Sequence, residues 1–122
     1  MNVSLWIAQA LLAAAFLAAG WIKLFRPKEK IAANPRLGWA NDFTASQIKL
    51  IGLAEVLGAP GLVLPLYLRI LPILTPVAAA CLAVIMGGAV HTHVRRGETP
   101  LPATLLGLMA AFVAVGRFLV AA

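Results

Sequence analysis

Four long apolar runs dominate the chain, at residues 3–24, 48–64, 68–92 and 101–120, and short polar stretches separate them. Each run approaches the ~20 residues whose helical rise matches a hydrocarbon thickness of about 30 Å. In lipid every backbone N–H and C=O must be satisfied internally, so helices are the only option for spans of this length and composition. The pattern predicts an all-α fold: a four-helix transmembrane bundle in a single domain covering residues 1–122. The second run is preceded by Thr44-Ala45-Ser46-Gln47, which fits a capping box and supports a helix start there. Pro60 lies inside the second run, and Pro72 and Pro76 at one end of the third. Each removes a backbone donor, so kinked helices are expected at these prolines. Between the first two runs, Asn34-Pro35 signals a turn, and Trp39 and Phe43 suggest a short interfacial segment over 37–43.

Composition agrees with this pattern. Hydrophobic residues make up 62% of the 122 and charged residues 11%, whereas soluble domains run nearer half and a quarter. The net charge of +6 could suggest nucleic acid, but most basic residues flank apolar spans, as topology signals do; no nucleic-acid partner is expected. Lys23, Arg26, Lys28, Lys30, Arg36, Lys49, Arg95 and Arg96 lie on the side of the first and third loops, against Arg69 and Arg117 on the other, eight against two. That imbalance places both basic loops in the cytoplasm and both termini outside. The expected location is a bacterial inner membrane, spanned several times. No Lys or Arg precedes the first run and a basic cluster follows it, which suits a retained helix better than a cleaved signal. Cys81, the single cysteine, has no partner for a disulfide or redox pair and is expected to be a small buried apolar residue.

Polar residues inside apolar runs carry the functional signal. Glu55 is a lone carboxylate within the second run, where a charge costs roughly 2.5–3.5 kcal/mol on insertion scales. Lys23, Glu55, His91 and His93 all fall in the same half of the membrane. Small residues three and four positions away mark packing faces: Gly20 beside Lys23, Gly52 and Gly58 beside Glu55, Gly87 and Gly88 beside His91. The fourth run carries a similar stripe, Ala103, Gly107 and Ala111. These placements suggest a polar pocket near the cytoplasmic surface, in which Lys23 contacts Glu55 directly or through water. The competing reading is that Lys23 snorkels to the headgroups. His91 and His93, two residues apart on a helix, point about 200° apart and cannot both chelate one ion from a regular turn. No metal, haem or other cofactor is expected.

Three stretches carry a resemblance to a known family: Ala-Gly-Trp-Ile-Lys-Leu ending at Lys23-Leu24, the run from Ile48 to Pro65 around Glu55, and His-Val-Arg-Arg-Gly-Glu from His93 to Glu98. The chain resembles the DoxX-like family of small four-helix membrane proteins over nearly its whole length. The resemblance implies a left-handed four-helix bundle, with Lys23, Glu55 and His93 as the matching polar positions. It points to His93, whereas helical facing favours His91. Its members resemble subunits of quinone-linked sulfur oxidation, parts of oxidative-stress complexes and distant assembly chaperones, so no single reaction follows from it.

Three functions compete. The favoured one is an accessory or assembly module whose polar site binds a lipid, a quinone or a partner membrane protein. The others are a small proton-coupled transporter, with a homodimer as its working unit, and a membrane subunit of a quinone-linked oxidoreductase. No residue is assigned a catalytic role, and the chain is read as a binding protein rather than an enzyme.

Overall fold

The computed structural model describes residues 2–120, apart from the side chains at 35–37. Among these every regular element is a helix. Helix α1 covers Asn2–Phe25, α2 Lys28–Ala33, a 3-10 segment Pro35–Asp42, α3 Ala45–Gly61, α4 Leu64–Leu68, α5 Leu74–Arg95 and α6 Leu101–Leu119. Four of the resulting segments are long and apolar enough to cross a membrane, α3 and α4 together forming the second, Ala45–Leu68. The protein is an integral, multi-pass membrane protein.

The capping box at the start of α3 is present. Thr44 Oγ1 accepts from the Gln47 amide at 3.1 Å, and Gln47 Oε1 accepts from the Thr44 amide at 2.9 Å. The start of α5 differs from the pattern of apolar residues. Hydropathy alone extends the third run back to Leu68, but the chain turns first, with Arg69 and Leu71 both at positive φ (55° and 47°). Hydropathy cannot register such a turn because its residues, Ile70, Leu71 and Ile73, are themselves apolar and exposed. Pro72 therefore precedes the helix, and Pro76 sits in its first turn.

The second span is interrupted at residues 62–63, just after Pro60. Pro65 lies four residues beyond Gly61 and has no N–H, so the Gly61 carbonyl cannot find its usual helical donor. Thr75 supplies one, its Oγ1 donating to Gly61 O at 3.0 Å. Gln9 donates from Nε2 to Leu62 O at 2.6 Å. Side chains from neighbouring helices thus replace the amides lost at the break, as an interrupted helix in lipid requires.

Helix α1 packs most extensively along α3, and α5 along α6; the two pairs meet through narrower α1–α6 and α3–α5 contacts. Leu12, Phe16, Leu62, Leu82, Ala110 and Val113 fill the core between them. Outward-facing residues such as Leu11, Leu57, Val84, Leu108 and Val115 are exposed and apolar, as a lipid-facing surface should be. Cys81 is exposed on this outer surface, which overturns the expectation of burial; a thiol is apolar enough to face acyl chains. At one end Asn2 and the Val120 carbonyl both reach Arg117. At the other, a small cluster of Ile31, Ala40 and Ile48 packs the first loop against the bundle.

Glycine decides how closely α1 and α3 approach. A Cβ on Gly20 would stand 2.7 Å from the Gly52 carbonyl oxygen, and one on Gly52 would stand 2.9 Å from both Gly20 O and Leu24 N. These are backbone atoms and cannot swing aside. Gly58 meets Leu82 at 3.1 Å. Gly87 and Gly88 do not belong with them: a Cβ there meets nothing within 4 Å, so neither packs against a helix. Ala111 is likewise exposed. A small residue permits a close neighbour but does not supply one. Gly52→Ala should therefore destabilise the bundle by about 1–3 kcal/mol through overpacking, while Gly87→Ala should be neutral or stabilising by roughly 0.5–1 kcal/mol. Thermal unfolding in detergent followed by tryptophan fluorescence compares the two, and equal midpoints would refute this account of the α1–α3 contact.

Candidate functional site

The close α1–α3 approach brings two charges together. Lys23, in the last turn of α1, places Nζ 2.6 Å from Glu55 Oε1 on α3. Glu55 is 0% exposed, and the Lys23 side chain retains 15% exposure. Lys23 does not merely snorkel: its ammonium lies on the carboxylate and 5.5 Å from the centroid of the Trp39 ring. A basic residue also suits this position because the carbonyl end of a helix carries partial negative charge. Lys49 adds to that by donating to Leu24 O at 3.0 Å. The second carboxylate oxygen, Glu55 Oε2, is buried without a hydrogen-bond partner.

Lys23, Glu55, His91 and His93 all line one cavity of about 640 Å³. It lies between the two helix pairs, at the end of the bundle that carries the first loop. Phe16, Ile85, Met86 and Leu106 give it apolar walls, and Trp39 and Phe43 reach it from the loop. The two histidines share it despite their divergent directions because the cavity wraps the end of α5, with Gly88, Ala89, Thr92 and Arg95 also on its wall. Gly88 faces this space rather than a neighbouring helix. His91 is the more exposed of the two histidines.

His93 belongs to a second polar group at the cavity mouth. Its Nδ1 stands 2.9 Å from Glu98 Oε1. Arg96 donates from Nε to Glu98 Oε2 at 3.3 Å and from Nη1 to Asp42 Oδ1 at 2.8 Å, and Arg95 Nη2 donates to Asp42 Oδ2 at 3.3 Å. The hydrogen bond from His93, with help from Arg96, holds the Glu98 carboxyl below the usual carboxylate range. The bond to Glu98 in turn raises the Arg96 guanidinium. This group ties the turn after α5 to the 3-10 segment across the mouth.

A further polar cluster occupies the opposite end of the bundle, where sequence reasoning expected only a topology marker. Arg117 is 7% exposed. It donates from Nε to Gln9 Oε1 and from Nη1 to Asn2 Oδ1, both at 2.7 Å, and to Val120 O at 3.2 Å. Its guanidinium carbon lies 5.1 Å from the Trp6 ring centroid, within range of a cation–π contact. Gln9 then passes the connection on to Leu62 O. The signal that could have found this cluster is Gln9 itself, a buried amide within the first apolar run. Among the described residues no group of three or more His, Cys, Asp or Glu side chains is placed to hold a metal ion.

The Lys23–Glu55 pair offsets the desolvation of two charges. Removing one partner strands the other, at a cost of about 3–5 kcal/mol. Lys23→Met should show a loss of this size in unfolding by denaturing detergent, and Lys23→Met combined with Glu55→Leu should recover most of it. A double variant as unstable as the single one would contradict a coupled pair.

No curated protein and no solved structure matches the chain. A family model does, over residues 7–116, a region that includes the whole Lys23–Glu55 cavity as well as Gln9. With four membrane-spanning helices and this match, the chain belongs to the DoxX-like family.

Proposed function

We propose that the protein binds an amphiphile, a lipid or a quinone, in the cavity around Lys23 and Glu55. In this reading it serves as an accessory or assembly module for other membrane proteins. The observation that carries the reading is the cavity: its volume of about 640 Å³ falls within the range of roughly 300–1,000 Å³ found for small-molecule sites, and its makeup is alike, mostly apolar walls with a few convergent polar groups. An intramembrane carboxylate is also costly enough to count as a functional candidate by default. The Lys23–Glu55 pair fits binding better than exchange, since the ammonium already occupies one carboxylate oxygen. The excess of Lys and Arg on the cavity side, eight of ten, supports a cavity facing the cytoplasm of a bacterial cell with both termini outside.

Native mass spectrometry of the protein released from mild detergent should find a co-purified mass of lipid or quinone size. Ala89→Trp, which fills the cavity from α5, should remove it while leaving the circular dichroism spectrum unchanged. A chain that is empty in repeated preparations overturns the proposal. For orientation, a cysteine appended at either terminus in a Cys81→Ala background should react with an impermeant maleimide on intact cells; reaction only after lysis would reverse the topology.

A further inference from the structure

We infer that His93 Nε2 is a hydrogen-bond acceptor for the cavity's occupant, held in that role by Glu98, and that the occupant is an amphiphile whose head carries a hydroxyl group. The inference rests on the ligand-binding reading above and specifies its chemistry.

Glu98 Oε1 lies 2.9 Å from His93 Nδ1, and Arg96 Nε donates to the other oxygen of the same carboxyl at 3.3 Å. With a guanidinium on one oxygen, Glu98 is a carboxylate, which can only accept. The proton in the His93–Glu98 contact therefore sits on Nδ1. With its one proton there the ring has a bare lone pair at Nε2, whereas an imidazolium has none, so the acceptor role belongs to the neutral ring. His93 lines the cavity, and its Nδ1 is already taken by Glu98, so Nε2 is the nitrogen left for an occupant. Glu98 touches no occupant in this arrangement; it is a positioning residue that fixes the tautomer and the ring, as partners of histidine do in metal sites.

Lys23 supplies the complementary group. An ammonium has three donors. One is directed at Glu55 Oε1, and the side chain keeps 15% exposure at the cavity wall, which leaves donors for an oxygen in the cavity. The site thus offers acceptors at His93 Nε2 and at the unpartnered Glu55 Oε2, and a donor, Lys23 Nζ, within apolar walls. A hydroxyl suits both kinds of partner, having a hydrogen to give to Nε2 and lone pairs that the ammonium can reach. An ether or a ketone answers only Lys23 and leaves Nε2 unpaired. An unpaired polar group in such a site is the usual basis for rejecting an analogue that lacks the hydrogen.

The test uses the full chain in nanodiscs and a matched pair of probes, 4-dodecylphenol and its methyl ether, 4-dodecylanisole. By isothermal titration the phenol should bind about tenfold more tightly, the worth of one good hydrogen bond. Glu98→Ala and His93→Phe should each bring the two probes to near parity. Nitrogen NMR of histidine-labelled protein, with His91 assigned through His91→Gln, should show His93 protonated at Nδ1, and Glu98→Ala should shift it toward the Nε2-protonated form. Equal affinity of the wild type for the two probes overturns the hydroxyl specificity while leaving the binding function standing. Binding of neither overturns the binding function, and this inference with it. A wild-type His93 protonated at Nε2, alone or together with Nδ1, overturns the acceptor role directly. The wild-type titrations and spectrum decide the matter even where a variant fails to fold.

Discussion

The backbone contact between α1 and α3 at Gly20 and Gly52 is the constraint on which the rest of the structure depends. Two helices with side chains at these positions would stand too far apart for Lys23 to reach a carboxylate buried in α3. With hydrogen there instead, the ammonium meets Glu55 at 2.6 Å. Without that meeting, Glu55 would be an isolated charge within a lipid-embedded bundle, which membranes penalise heavily. Packing and electrostatics are thus one event here. The glycines set the distance, and the distance makes the charge tolerable.

The second constraint is that the four spans assemble as two close pairs rather than as an evenly packed bundle. Where the pairs meet in the middle, Phe16, Leu62, Leu82 and Val113 close the gap. Toward the loop end the gap opens into the cavity, because α5 presents Gly88 and Ala89 there instead of bulky side chains. Glycine therefore has opposite uses in one protein. At Gly52 it lets backbone touch backbone, and at Gly88 it leaves space. The polar groups at the two ends follow from the same logic, since each lies where irregular backbone or a helix terminus leaves groups that lipid cannot satisfy.

Much of this was legible in the sequence, and the particular failures are instructive. The four spans, the capping box at Thr44 and the contact of Glu55 with Lys23 all rest on strong local signals: long apolar runs, a fixed spacing of cap residues, and a charge where charges are rare. Gly20 and Gly52 carried the same signature as Gly87 and Gly88, yet only the first pair is packed. Residue size records what a face permits, and the identity of the opposing face is a tertiary fact. Arg117 looked like an end marker because it stands near the end of its helix, and nothing local separates a wet arginine from one enclosed by Trp6, Gln9 and Asn2. The start of α5 was hidden for a different reason: its preceding turn is built from leucine, isoleucine and proline, residues that read as span.

The link from Arg117 through Gln9 to Leu62 joins three of the four spans through one side chain. Gln9 stands 53 residues before Leu62 and 108 before Arg117, and its amide gives a hydrogen to the one and its oxygen accepts from the other. The first helix thus carries, in one side chain, the joint between the break in the second span and the end of the last, so a change at Gln9 is felt in both.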